Sequence, residues 1–595
     1  MTTRSTRSPR RRTVIALAVV LAVLAGFIVR LVDIQVVNAD THIADSMKVA
    51  LGASRTLYGT RGEIVDESGQ LLAGSILLYD GVLDPKNVGP VTRESDEGER
   101  VVVPWAKVAG EIGAVTGQTS EEIQKIVADA LADDPDSQFA YLKRGLTTEQ
   151  YRDLVAIGAP FLTFDAHPAR TYPDGAVAGN LVGFMGSDAV PLAGIEKSQN
   201  DCLLATNGTL SFQKGKDGVT IPGTEQQQPA VNGGTLELTI NRDLQWYLQQ
   251  LIGEQTQDMG AKSGTISVVE VKTGKVRAMA DYPTVDPNDF AASPDDDLYS
   301  RIFKNTFEPG STFKPITAAT LIDAAGQTPT STVIASGWET FDNGARVTDS
   351  FSHEPYLYTL AGVLIDSSNA GISRFSERVD PQVRYDYLKK FGISTGSAIG
   401  FVGEQQGLVY EPSEWDNQTV YNTTFGQALT TTVPELLGAY GTIANDGVKV
   451  PLRLVESCTH ADGTDVQPDV PDSIRVLSES TAVQVQQMLE NVALQAGYAD
   501  DVAVPGYRVA VKSGTGEQVD PETGRYRQGV YFTTMIGFAP ADDPQYVVAV
   551  TFDSPTKVTS SAANAPAFQK AMTQVLKTYR VMPATTEPTL LPKFG

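Results

Sequence analysis

The chain has 595 residues, room for two or three domains, and 41% of them are hydrophobic, which marks a globular rather than a disordered protein. Residues 1–12 hold five arginines (Arg4, Arg7, Arg10, Arg11, Arg12) and no acid, so the formal net charge of −24 leaves −29 on the remainder. A body this acidic lacks the basic face that phosphates need. Nucleic acid is excluded as a partner, and solubility accounts for the acidity.

In chain order, residues 13–29 (TVIALAVVLAVLAGFIV) are uncharged and almost wholly apolar, close to the roughly 20 residues that cross a bilayer. Leu31 and Val32 extend the run, and Arg30 can snorkel to the interface. A cleaved signal peptide is the rival reading. The apolar continuation through Val37 and the lack of a small-x-small cleavage site favour a retained anchor at 13–33. The arginines then put residues 1–12 in the cytoplasm and the rest outside the cell membrane, in single-pass topology.

Residues 34–220 read as a non-catalytic, elongated, mostly β pedestal. Arg61-Gly-Glu-Ile-Val-Asp66 through Ala73 is a strand–turn–strand pattern, and the acidic run at 93–100 reads as a solvated loop. Thr119-Ser-Glu-Glu122 is a capping box ahead of Ile123, Ile126, Val127 and Leu131, hence an amphipathic helix. Arg170-Thr-Tyr-Pro-Asp-Gly175 reads as a turn. Residues 221–235, rich in Gln, Gly and Pro, form the expected linker.

Residues 236–580 read as α+β, an antiparallel sheet sandwiched by helices. A helix is predicted from Arg242 to Ile252, strands at 264–271, 275–280, 507–511, 531–538 and 546–552, and a last helix over 567–579. The Pro-rich residues 581–595 read as a flexible tail.

Within this half, Glu308-Pro-Gly-Ser311-Thr-Phe-Lys314-Pro315 stands out. Pro309-Gly310 signals a turn, Ser311 can cap a helix start, and Ala318, Leu321, Ile322 and Ala325 recur at helical spacing before a stop at Gly326. Ser311 and Lys314 then sit one turn apart, a hydroxyl beside an amine. A lysine whose pKa is lowered by burial or by another cation can take a serine's proton. Ser-x-x-Lys also occurs at Ser211 and Ser554, where a hairpin pattern and the lack of a following helix give bland explanations. Only Ser311 has both the turn and the helix.

His42, His167, His353 and His460 stand alone, so no triad and no metal site is expected. Cys202 and Cys458 could form a disulfide outside the membrane. So distant a pair sets no framework, and two separate thiols are expected.

Two further motifs follow: Ser367-Ser368-Asn369 after a predicted helix at 358–365, and Lys512-Ser513-Gly514-Thr515 at the end of a strand. Their decoys, Ser198-Gln-Asn200 and Lys272-Thr-Gly274, precede Ser311 and read as surface polarity and a tight turn. The ordered set Ser-x-x-Lys, Ser-x-Asn, Lys-Ser-Gly-Thr resembles the penicillin-interactive serine transferases. The likeness covers nearly the whole chain beyond the anchor. Arg61-Gly62 through Ala73, the Arg170-x-Tyr-Pro turn through Gly183-Phe184, Gly194-Ile-Glu196, Leu238-Thr-Ile-Asn-Arg-Asp-Leu-Gln245, Phe425-Gly-Gln427, Asn445-Asp-Gly447 and Ala565-Pro-Ala-Phe568 are similar to class B penicillin-binding proteins. Departures are small: Asn241 for Asp, Ala428 for Gly, and Ser513 for Thr, which keeps its hydroxyl.

The resemblance implies a membrane-anchored peptidoglycan D,D-transpeptidase without cofactor or metal. Ser311 is the implied nucleophile, Lys314 the base, Ser367 a proton relay assisted by Lys512, and Asn369 the holder of the substrate amide. Ser513, Gly514 and Thr515 are implied to receive the terminal carboxylate, and the N–H groups of Ser311 and Thr515 to form the oxyanion hole. Implied partners are stem peptides on lipid-linked precursor polymer, β-lactam antibiotics, a polytopic glycosyltransferase and other division proteins. Tyr358-Thr-Leu-Ala-Gly-Val-Leu364 and the overall likeness favour the division type over the elongation type. A β-lactamase or antibiotic sensor has no use for the module at 34–220, and intact motifs argue against a decayed scaffold.

Overall fold

The computed structural model describes residues 9–33, 37, 52–94, 99–186, 188–214, 223–520 and 522–595. The side chains of the five N-terminal arginines, residues 95–98 of the expected loop, the turn after Lys214, the start of the expected linker and residues 34–36 beyond the anchor lie outside the described residues.

The chain forms two compact units. The first takes its described residues from 1–60 and 205–232. It contains the helix Pro9–Val32 and a three-stranded antiparallel sheet of Gly52–Leu57, Gly208–Gln213 and Gln226–Gln228. Along Val14–Val32 the helix is apolar and exposed, and its 19 residues are long enough to cross a membrane.

The second unit takes residues 61–204 and 233–595. One sheet in it is shared by distant parts of the sequence. Its strand order is Asp465–Val466, Val455–Thr459, Thr235–Leu238, Ile64–Val65, Leu71–Leu83 and Ala140–Leu146, with Leu162–Thr171 also pairing along Leu71–Leu83. Beside it, helices Trp105–Thr116 and Ser120–Asp133 bury Val108, Ile112 and Ile123 in a separate small core. The second of these helices starts with the predicted box: the Thr119 hydroxyl accepts from Glu122 N–H, and the Glu122 carboxylate from Thr119 N–H. Glu196, fully buried, accepts from Arg61 Nε at 2.7 Å and Arg170 Nε at 2.5 Å, pinning together three of the segments named above.

The main core surrounds a five-stranded antiparallel sheet in the order β2-β1-β5-β4-β3: β1 Ser263–Glu270, β2 Val276–Tyr282, β3 Ala510–Val519, β4 Tyr526–Ala539 and β5 Tyr546–Asp553. Every residue of β1 and β5 except the last is buried, so helices must cover both faces. Helices α1 (Arg242–Met259) and α4 (Ala565–Thr578) pack on each other and on the sheet. Helices α2 (Lys314–Ala325) and α3 (Glu479–Gln495) pack together, and α3 lies along β3. Asn241, where Asp is usual, caps α1 by accepting from Leu244 N–H at 2.9 Å.

Two expectations are corrected. Cys202 and Cys458 are not separate thiols but a disulfide, with Cα atoms 6.1 Å apart. The strand Thr235–Leu238 brings them together, since Gly234 N–H bonds the Cys202 carbonyl and Leu236 pairs with Cys458. Nor are residues 581–595 loose. Lys593 pairs with Asp366 at 2.6 Å, Thr359 Oγ1 donates to Pro592 O at 2.6 Å, Leu591 N–H bonds Asn491 Oδ1, and the Phe594 ring packs on Tyr358. Backbone groups that no ladder could satisfy find side chains instead.

Candidate active site

The segment around Ser311 departs from the predicted cap. Gly310–Phe313 is a 3₁₀ turn running straight into α2, so Ser311 stands inside the turn and Lys314 opens the helix. Gly326 closes α2 in the left-handed conformation, as its spacing predicts. Gly310 has φ +55°, and a Cβ there would lie 2.5 Å from the Thr515 carbonyl oxygen. Across the gap, a Cβ on Gly514 would lie 2.4 Å from Pro309 O, and one on Gly516 2.0 Å from Glu308 O. Three missing side chains thus let the turn and the edge strand β3 touch backbone to backbone.

Ser367 is placed by a helix ending. The helix Leu360–Ile365 closes with Ser368 N–H on Val363 O at 2.9 Å and Ser367 N–H on Leu364 O at 3.3 Å. That double closure puts its penultimate residue in the left-handed region, and Ser367 has φ +59° although it carries a side chain. The predicted helix at 358–365 therefore begins two residues late, because Tyr356–Thr359 is a strand. Ser368 caps the next helix, Asn369–Ser376, by accepting from Gly371 N–H at 2.8 Å.

Three motifs meet here. Lys314 Nζ lies 2.9 Å from Ser311 Oγ and 3.2 Å from Ser367 Oγ, and it donates to the Ser367 carbonyl. Lys512 Nζ donates to Ser367 Oγ at 3.0 Å and to Ser513 O at 3.1 Å. The ordered contact runs Ser311–Lys314–Ser367–Lys512. Both lysines are almost fully buried, and among the described residues neither has a carboxylate in salt-bridge range. Burial, and then the neighbouring charge of Lys512, push the Lys314 pKa well below that of a free lysine. Burial brings Lys512 down to about 7. The arrangement can hold one amine neutral beside a serine hydroxyl while a second amine supplies charge.

Asn369 Nδ2 donates to Thr348 O at 3.0 Å, which leaves its carbonyl and second N–H free to meet an amide. Ser513 is buried, and Gly514 sits against the turn. The Thr515 hydroxyl accepts from Ser561 N–H at 3.2 Å and keeps its own proton to donate. All eight predicted site residues therefore lie on the turn and the start of α2, the Ser367 helix junction or β3. The decoys lie elsewhere: Ser211 is mid-strand in the first unit, and Ser554 Oγ donates to Asp553.

Sequence inspection missed Asp349. Its carboxylate accepts from Ser368 Oγ at 2.7 Å, Ala370 N–H at 2.9 Å and His353 Nε2 at 3.0 Å, and so holds the Ser367 junction from behind. Asp349 lies in a loop with no periodicity, so no local signal marks it. No cluster of metal-binding side chains occurs among the described residues.

The chain matches the family described as "Penicillin binding protein transpeptidase domain" over residues 264–573, and that described as "Penicillin-binding Protein dimerisation domain" over 56–238. It is 32% identical to penicillin-binding protein PbpB of Mycolicibacterium smegmatis, covering 96% of this chain and 90% of that one. It is 30% identical to the peptidoglycan D,D-transpeptidase FtsI of Escherichia coli, covering 95% and 91%. Among solved structures, penicillin binding protein 3 of Mycobacterium tuberculosis complexed with aztreonam superposes with TM-score 0.68 at 28% identity, covering 90% of this chain and 99% of that one.

Proposed function

This chain belongs to the class B penicillin-binding proteins of the division type, and from that premise we propose how its residues carry out serine D,D-transpeptidation in septal peptidoglycan synthesis. Ser311 Oγ attacks the carbonyl of the penultimate D-Ala of a stem peptide, and neutral Lys314 takes its proton. The tetrahedral oxyanion is received by the N–H groups of Ser311 and Thr515, donors worth roughly 3 kcal/mol each in such sites. Ser367 passes a proton from the Lys314–Lys512 pair to the leaving D-Ala amine, so the C–N bond breaks and an acyl-enzyme remains. Asn369 orients the stem amide. The hydroxyls of Ser513 and Thr515 hold the terminal carboxylate beside Lys512, and Gly514 keeps the strand close to the turn. The amine of a second stem then attacks the ester, forms the cross-link and returns the proton to Ser311. A β-lactam enters by the same first step.

The observation that carries this is the unbroken Ser311–Lys314–Ser367–Lys512 contact between three segments far apart in sequence. The domain roles follow: 1–12 cytoplasmic, 13–33 the anchor, 34–220 the pedestal, 221–235 the connection, and 236–580 the enzyme facing outward. A polytopic glycosyltransferase supplying the polymer and other division proteins are the partners this role requires. Labelling with fluorescent penicillin, followed by mass spectrometry, should place the adduct on Ser311. Labelling that persists in Ser311→Ala would refute the assignment, and side-wall rather than septal localisation of a fluorescent fusion would refute the division role.

A further inference from the structure

The catalytic turn and the third-motif strand both run on, past their motif residues, into a cavity of about 490 Å³. Glu308, three residues before Ser311, and Glu517, two beyond Thr515, line it, and Asp553 at the end of β5 adds a third carboxylate. Glu308 is only 9% exposed. Its Oε1 accepts from Ala428 N–H at 3.0 Å and Tyr526 O–H at 2.9 Å, whereas its Oε2 is buried with no hydrogen-bond partner. An unpaired carboxylate oxygen at that depth is costly unless something positive visits it. Burial, with Glu517 nearby, raises the Glu308 pKa to about 7. Lys304 also lines the cavity, but it is exposed and lies over the Tyr299 ring, 4.8 Å from its centre. Among the described residues it pairs with no carboxylate. The stacked rings of Phe307 and Phe532 give the cavity an apolar wall suited to methylenes.

We infer that this cavity is the entry site for the second substrate, and that Glu308 and Glu517 bind the alkylammonium group of the acceptor stem beside the acyl-enzyme, one carboxylate taking the proton whose loss frees the amine to attack. The inference rests on the transpeptidase assignment and adds the residues that choose an amine over water. A merely structural Glu308 would have both carboxylate oxygens engaged, as Glu196 has.

The test uses the full chain in detergent, a thioester stem analogue as acyl donor, and Nα-acetyl-lysine amide as acceptor. The ratio of aminolysis to hydrolysis is measured against acceptor concentration. Glu308→Gln and Glu517→Gln should each raise the half-saturating acceptor concentration about tenfold, the order expected for one charge-assisted hydrogen bond. Glu121→Gln, on the exposed pedestal helix, should not move it. Donor hydrolysis and penicillin labelling on the same samples report the first half-reaction. If both variants still acylate and show the wild-type partition curve, the amine site is refuted while the transpeptidase assignment stands. If the wild-type protein forms no acyl-enzyme, both fall together. Glu517→Gln keeps the test open should Glu308→Gln disturb the turn, because among the described residues the only hydrogen bond to the Glu517 side chain comes from Gln427 Nε2 at 3.1 Å.

Discussion

Lys314 grips Ser367 at two points, donating to its carbonyl oxygen and lying 3.2 Å from its hydroxyl. The contact fixes a residue whose backbone is in the left-handed region, and it couples the proton acceptor to the relay. Lys314→Ala should cut the penicillin acylation rate by about 10²–10⁴, the usual worth of a positioned acid–base group, in a stopped-flow assay. Lys314→Arg should do no better, since a guanidinium does not give up its proton.

Ser367 allows strain and chemistry to be separated. Ser367→Gly should raise thermal stability by about 1 kcal/mol through relief of the left-handed backbone. The same change should slow acylation, because the hydroxyl between the two lysines is gone. Ser367→Ala should slow acylation equally without the gain in stability. Calorimetry and labelling kinetics on the pair distinguish the two effects.

The lysines predict a bell-shaped acylation profile. On the acid side the rate should rise as Lys314 loses its proton, at a pH well below that for a free lysine. On the alkaline side it should fall near pH 7 as Lys512 loses the charge that draws the substrate carboxylate. Lys512→Arg should move the falling limb up. The same burial works against folding. Unfolded Lys512 holds its proton up to about pH 10.4, and folded only to about 7, so its stability cost is complete below pH 7 and fades as pH rises toward 10.4. Lys512→Met should therefore stabilise the fold more at pH 6 than at pH 9, which thermal melts at the two pH values would show.

Glu196 is the buried carboxylate between Arg61 and Arg170. Glu196→Ala should cost about 3–5 kcal/mol, because two guanidiniums would be left without their partner. Chemical denaturation measures the loss. A smaller effect on labelling than on stability is expected, since the cluster touches none of the motif residues.

The Cys202–Cys458 bond spans 256 residues, and that stretch includes Ser311. Cys202→Ser/Cys458→Ser should lower stability by roughly 2–5 kcal/mol, and reduction of the wild-type protein should reproduce the shift in melting temperature.

What could be read in the sequence was local. The Ser311 turn and helix, the Thr119 box and the strands of the main sheet follow from patterns a few residues long. The class B likeness then linked three motifs that no local rule connects. What escaped depends on distant pairing. Asp349 matters only because the chain folds it behind Ser368. The two cysteines meet only because a third segment lies between them. Residues 581–595 look unstructured because Pro583, Pro588 and Pro592 leave few donors, yet side chains from distant segments supply the bonds. Ser311 as a helix cap was a reasonable inference from Pro-Gly-Ser, and the tighter turn took its place because β3 presses on the same backbone.

The Asp366–Lys593 pair has a temporal side. The helix ending that orients Ser367 is braced by a residue made 227 positions later, after all three motif segments. A growing chain cannot finish this centre in the order in which it is made: the nucleophile's turn waits for β3, about 200 residues later, and the relay's brace waits for Lys593.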